Sequence, residues 1–414
     1  MLRYQSLIGF FSLCLVAWLF SENRKRINLR TIITGIGLQV VLALLLLKLP
    51  GSQVVFLWLN EAVKALEEST NAGTGFVFGY LGGAALPFDE KIPGSSYILA
   101  FRGLPLVLVI SALSALFFYW RIMPAVVRLF SWVLRRIMGI GGVEGLGTAA
   151  NVFVGMVESP LLVRPYLSGV SRSELFTIMT SGMATIAGTV MVLYASILRG
   201  VIPGIMGHLL TASIISAPAA ITVAKLMVPE IGKPSTGEVE IPRGAESSMD
   251  AITRGTLDGI KLLINIIAML VVLVALVHLL NLILSYLPHF SGEPITFQRL
   301  VGYLMAPVTW LMGIPWSESN VTGALMGTKT VLNEFLGYLE LAGLPEGSLS
   351  DRTRLIMTYA MCGFANFGSL GIMIGGMGAM AKERRGEIVG LGIKSIVAGT
   401  IATCMTGALV GMIY

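Results

Sequence analysis

Charged residues are scarce in this chain. Asp, Glu, Lys and Arg make up 13% of its 414 positions, against 55% hydrophobic residues and a mean hydropathy of +0.81. Soluble domains carry roughly 25% charge, so a water-borne fold is excluded and the residues describe a polytopic membrane protein. Cysteine and histidine are nearly absent. Cys14, Cys362 and Cys404 stand in apolar surroundings without metal-ligand spacing, and read as buried thiols acting as small hydrophobes. His208, His278 and His289 are too scattered for a metal cluster. Neither H-E-x-x-H nor G-x-S-x-G occurs, which removes the common signatures of a membrane hydrolase and points away from an enzyme. The formal charge of +6 fits Lys and Arg holding loops on the inner side of a membrane, not nucleic-acid binding.

What is present is long apolar runs. Segments near residues 5–20, 31–47, 103–120, 175–198, 200–224, 262–288, 355–381 and 395–414 are long enough to cross a hydrocarbon layer of about 30 Å, which predicts eight spans. The first is read as a helix and not a cleaved signal, because Asn23-Arg24-Lys25-Arg26 follows it where small residues would be needed. Basic clusters after spans one, three and seven fall on one side of a zigzag, the cytoplasmic one, so the N-terminus starts outside. Residues 52–66 read as an outer amphipathic helix with Trp58 as interfacial anchor, 71–95 as a loop, 125–137 as an inner interfacial helix, and 229–250 as a cytoplasmic linker between two halves.

Two apolar segments, 144–169 and 318–345, are too rich in glycine and too interrupted to span cleanly, and each bears an acid in its interior, Glu158 or Glu334. A carboxylate at mid-bilayer costs about 2.5–3.5 kcal/mol on insertion scales, so both mark a functional site. Each segment reads as a re-entrant hairpin, whose helix ends inside the membrane survive only against protein or a polar cavity. After each comes a span with a Gly- and hydroxyl-rich middle, Gly182-Met183-Ala184-Thr185-Ile186-Ala187-Gly188-Thr189 and Gly363-Phe364-Ala365-Asn366-Phe367-Gly368-Ser369-Leu370-Gly371, suited to unwinding at a ligand. The order hairpin, broken helix, plain helix thus occurs twice, as an inverted repeat, the framework of alternating access. Other residues read as structural: Arg164 as an anchor for the hairpin foot, Gly371, Gly375 and Gly376 as a close-packing face, and His278 and Asn281 as bundle-facing. Lys329 reads as a neighbour that could neutralise an acid.

These residues resemble the concentrative nucleoside transporter family. Gly155-Met156-Val157-Glu158-Ser159-Pro160-Leu161-Leu162-Val163-Arg164-Pro165-Tyr166-Leu167 follows its first-hairpin motif except at two positions, and Leu332-Asn333-Glu334-Phe335 and Cys362 to Ile372 resemble its other signatures. The resemblance implies an all-α homotrimer of eight-span protomers with two re-entrant hairpins and interfacial helices, in the cell inner membrane. Scaffold helices would lie in 1–123 and 251–290, and a mobile transport domain in 124–228 and 291–414, joined through 229–250. It implies that Met156, Val157 and Glu158 face a nucleobase, that Glu334, Asn366 and Ser369 hold ribose hydroxyls, and that Phe364 lies against the base. Sodium, the coupling ion, would be held by the side chains of Asn151 and Thr185 and the carbonyls of Val154, Ile186 and Thr189, a neutral oxygen set suited to a hard cation; no other cofactor is implied.

The chain departs from the motif at Met156 and Val157, where the family commonly has Gln and Thr. An unpaired base edge loses about 1–3 kcal/mol, so base preference is where the resemblance transfers least. Proton coupling through Glu158 or Glu334, and a nucleobase as cargo on the same scaffold, stay open. One monovalent cation suffices for uphill uptake: about 2.3 kcal/mol from 100 mV and roughly 1.4 kcal/mol from a tenfold gradient.

Overall fold

The computed structural model describes residues 2–90, 96–156, 158–232, 235, 245–287 and 294–414, and all regular structure among them is helical. In order, the helices are α1 (Leu2–Leu19), α2 (Leu29–Lys48), α3 (Pro50–Phe78), α4 (Leu99–Arg102), α5 (Leu106–Tyr119) and α6 (Ile122–Met138). The first functional half holds α7 (Gly142–Asn151), α8 (Glu158–Leu162), α9 (Arg172–Ala184), α10 (Gly188–Leu198) and α11 (Ile205–Met227). Next come α12 (Ser248–Leu284) and α13 (Phe297–Leu311), then α14 (Trp316–Val331), α15 (Glu334–Gly343), α16 (Asp351–Met361), α17 (Phe367–Met380) and α18 (Arg385–Ile413). Helix pair, interrupted helix, long helix therefore occurs twice: α7/α8, α9/α10, α11 and α14/α15, α16/α17, α18. Corresponding starts are capped alike, Ser171 accepting from the N–H of Glu174 and Ser350 from that of Thr353.

Among the described residues, seven helical stretches are long and apolar enough to cross a membrane: Leu2–Leu19, Leu29–Lys48, Leu99–Tyr119, Arg172–Leu198, Ile205–Met227, Ser248–Leu284 and Lys382–Ile413. The eighth expected span, 355–381, is divided into α16 and α17 at its Gly-rich middle, as its composition predicts. Three expectations are corrected. The amphipathic helix expected over 52–66 runs on to Phe78, so much of the loop expected over 71–95 is helical; Gly73 and Gly75 lie inside it. The helix expected from 262 starts at Ser248, because Asp250, Arg254, Asp258 and Lys261 form i,i+3 and i,i+4 pairs on its first turns. His278 is exposed, while Asn281 caps α13 by accepting from the N–H of Phe297 at 2.8 Å. His289 lies outside the described residues.

The centre of the molecule is α9 to α11 and α18, with 78%, 89% and 78% of their most apolar windows buried. Against them pack α1, along α18, and α2, along α11. The corresponding window of α12 is the most apolar of all and only 6% buried. Among the described residues this helix packs chiefly along α5 and meets α13 at its far end through Asn281; α5 is approached through Gly255 and Gly259, where a Cβ on Gly255 would lie 2.6 Å from the Ser111 carbonyl oxygen and 2.8 Å from Ala112 Cα. Small residues four apart let two backbones meet where water gives no drive to associate. The close-packing face expected at Gly371 and Gly375 is absent, since both have open space where a Cβ would go.

At one end, Glu22 of the α1–α2 connection ties α9 and α18 together, accepting from Arg172 at 2.9 Å and from Lys394 at 2.5 Å. Arg172 foremost, with Lys394, holds this carboxyl down from 4.5 to about 2.

Two predictions follow from the packing and this cluster. Gly255→Val should lower the thermal midpoint in detergent, a strain of about 1–3 kcal/mol, whereas Gly371→Ala should leave it unchanged. Because the folded value of Glu22 is depressed, its contribution is present above pH 4.5 and lost as pH falls from 4.5 toward 2. Glu22→Gln should flatten that part of the stability–pH curve.

Candidate substrate and cation site

The two interrupted helices meet at their interruptions. Between α9 and α10 the chain is extended at Thr185, with φ −124° and ψ 168°; between α16 and α17 it is unwound from Cys362 to Asn366. The N–H of Phe364 donates to the Thr185 carbonyl at 3.3 Å. Gly363 has no room for a side chain, since a Cβ there would lie 2.8 Å from the Met183 carbonyl oxygen and 2.7 Å from Thr403 Cγ2. On α18, Gly399 fits over the same crossing, 2.5 Å from Met183 Cβ by the same measure.

Glu334 opens α15 beside this crossing and is 4% exposed. One carboxylate oxygen accepts from the Tyr194 hydroxyl of α10 at 2.6 Å, the other from Asn366 Nδ2 at 2.9 Å. Asn366 also caps α17, its Oδ1 accepting from the Ser369 N–H at 2.7 Å. Glu334, Asn366 and Ser369 are thus brought together, and Phe364 lies half-buried two residues from Asn366. Among the described residues no ion pair reaches Glu334. An ionised carboxylate offers about four lone-pair sites, so two protein donors leave room for two ligand hydroxyls.

The first hairpin docks on the first interruption. Every residue of α7 is buried, and Asn151, its last, receives a hydrogen bond from Thr185 Oγ1 at its carbonyl, 3.1 Å. The N–H of Gly188 donates to the Phe153 carbonyl at 3.0 Å, and a Cβ on Gly188 would lie 2.7 Å from that oxygen, so only glycine allows the approach. These joins set Asn151 and Val154 against Thr185 and Ile186, all four buried, and half-buried Thr189 follows on the next residue after Gly188. Asn151 is 1% exposed; its Nδ2 donates to the Gly147 carbonyl at 3.1 Å, while its Oδ1 has no hydrogen-bond partner among the described residues.

The residues expected to face a base separate. Met156 is buried, packed toward Gly182, where a Cβ would lie 3.0 Å from Met156 Cβ and 3.1 Å from Met373 Cε. Glu158 is exposed at the start of α8, with a carboxylate oxygen over Gly155. Val157 lies outside the described residues. Arg164 is exposed below them.

An interrupted-helix core with a buried acid at the crossing and an orphan oxygen beside it belongs to a membrane transporter. Comparison with known proteins identifies which kind. A family model described as "Na+ dependent nucleoside transporter C-terminus" matches residues 208–411, its N-terminal counterpart matches 8–81, and a third, "Nucleoside recognition", matches 100–201. The uncharacterized transporter YutK of Bacillus subtilis is 38% identical over 98% of both chains. The nucleoside permease NupC of Helicobacter pylori is 34% identical, over 98% of this chain and 97% of its own. Solute carrier family 28 member 3 of Rattus norvegicus is 37% identical over the whole chain, which spans 59% of that larger protein. Among solved structures, CNTnw in an inward-facing substrate-bound state superposes with a TM-score of 0.92 at 33% identity, over 100% of this chain and 98% of that one. The chain belongs to the concentrative nucleoside transporter family and is a transporter, not an enzyme.

Tyr194 is the residue that sequence reasoning missed. It is the one tyrosine between Arg172 and Leu198, a polar hydroxyl in an apolar half-helix, and such a group seeks a partner when buried. Its ring packs on Tyr338 and Phe335, with centroids 5.0 and 6.1 Å away. Tyr194→Phe keeps these contacts and removes one charge-assisted hydrogen bond, worth about 1.5–3 kcal/mol. Nucleoside affinity, measured by titration calorimetry, should fall by roughly tenfold or more.

Proposed function

We propose that this chain is a sodium-driven nucleoside symporter of the inner membrane. It works as a homotrimer whose hairpins and interrupted helices move as one body past a scaffold. The observation that carries this reading is the pairing of two acceptors at one crossing: the Glu334 carboxylate with acceptor capacity to spare, and the Asn151 oxygen with no protein partner among the described residues. A ribose presents adjacent hydroxyls that both donate to a carboxylate, and charge-assisted bonds in a dry site are the strong ones. A monovalent cation satisfies a buried neutral oxygen that no N–H reaches.

In this reading Glu334, Asn366 and Ser369 hold the ribose, and Phe364 lies against the base. Asn151 and Thr185, with the carbonyls of Val154, Ile186 and Thr189, hold sodium. Cation and nucleoside sites share the Thr185–Phe364 backbone contact, so filling one orders the other. Glu158, with Met156 and Val157, faces the base, where packing of Met156 on Gly182 makes recognition apolar. The trimer reading rests on the family; the exposed apolar surface of α12 suits lipid and a partner protomer alike.

The test is uptake of radiolabelled uridine and adenosine into proteoliposomes under an inward sodium gradient, an inward proton gradient, or neither. Sodium should drive accumulation above equilibrium. Glu334→Gln should reduce uptake at least tenfold in both gradients, and Asn151→Leu should remove the response to sodium while leaving the fold intact. Accumulation driven by protons and indifferent to sodium would overturn the coupling; no nucleoside uptake under any gradient would overturn the cargo.

A further inference from the structure

The chain buries two lysines, and they are treated differently. Lys225 of α11 is 6% exposed, with Glu144 at 2.8 Å and Glu230 at 3.3 Å. Lys329 of α14 is 0% exposed, and among the described residues its Nζ has neither an ion pair nor a hydrogen-bond partner. An unpartnered ammonium in a water-free interior is costly. Something must offset it.

The two halves of the molecule supply the comparison. In the first, the C-terminal ends of two half-helices converge: Asn151 is the last residue of α7, Thr185 is the C-cap of α9, and the two are hydrogen-bonded at 3.1 Å. Helix C-termini carry partial negative charge, so this convergence attracts a cation, yet no side chain there carries one, and the Asn151 oxygen is orphaned. In the second half the counterparts are α14 and α16. Lys329 lies in the last turn of α14, and Cys362 is the C-cap of α16. The two ends meet at Gly337 of α15, where a Cβ would lie 3.5 Å from Lys329 Cβ and 3.2 Å from the Sδ of Met361, the last residue of α16. The same convergence of helix ends is therefore present, with a covalently attached cation inside it.

We infer that the Lys329 ammonium is a built-in cation, occupying in the second half the place that a free cation takes in the first and balancing the charge of Glu334. The helix ends and that carboxylate compensate the ammonium without a direct partner. Only the first half then needs an ion from solution, and Lys329 is a positioning residue for the ribose-binding acid. This rests on the cation and nucleoside reading above.

The test uses purified full-length protein, measuring uridine binding and the thermal midpoint in sodium and in choline media. Lys329→Met should bind uridine at least tenfold more weakly at all sodium concentrations. Lys329→Asn places in the second half the side chain found at position 151. It should regain binding at raised sodium with a second-order dependence, and be stabilised by sodium over choline more than the parent chain. Wild-type affinity and sodium dependence in Lys329→Met would overturn the inference. So would a Lys329→Asn chain that keeps first-order dependence, or that folds no better in sodium than in choline. A parent chain that neither binds uridine nor responds to sodium would instead sink the functional reading.

Discussion

A peptide group inside a membrane has no water to turn to, and this constraint shapes the rest of the structure. Interrupting a helix there exposes carbonyls and N–H groups that need partners within the protein. The chain does this twice and answers each interruption with the other, the Phe364 N–H reaching the Thr185 carbonyl. The tip of the first hairpin adds the Gly188–Phe153 bond. Glycine is confined to Gly363, Gly399 and Gly188 at these contacts because any side chain would hold the backbones apart. The polar site is the part of the crossing left over for a ligand.

Around it the burial gradient runs opposite to that of a soluble protein. The centre holds Thr148, Thr177, Thr180 and Ser181, all fully buried, whereas the most apolar helix, α12, is the most exposed. With lipid as solvent, apolar surface is left outside at no cost, and hydroxyls are spent inside, where Ser181 bonds both Thr148 and the Thr177 carbonyl. Glu144 and Lys225 extend this polar interior to the root of the first hairpin.

Much of this was legible in the sequence, for a physical reason. An acid inside a glycine-rich apolar run has few structural explanations, so Glu334 and the two interruptions stood out, while Asn366 and Ser369 were named through the family resemblance. What stayed hidden depends on neighbours. Tyr194 looks like any aromatic until Glu334 is placed against its hydroxyl. Gly255 and Gly259 sit among charges and give no hint of facing α5, while Gly371 and Gly375 look like a packing face and meet nothing. The length of α3 was misread because Gly73 and Gly75 signal a loop locally, and a helix tolerates them when tertiary contacts hold it. Lys329 read as an ion-pair partner because sequence gives proximity along the chain, not the geometry of a contact.

The ends of the site differ in what holds them, and this bears on how such a molecule can change over generations. The end proposed to hold the ribose is fixed by backbone crossings and by Asn366, which at once caps a helix and holds Glu334, so that a substitution at Asn366 breaks two things. The end proposed to face the base hangs on Met156, which packs toward Gly182, a contact that a different side chain can replace singly. On that reading, descendants of this chain are free to acquire new base preferences one mutation at a time, while the sugar they accept is inherited with the fold.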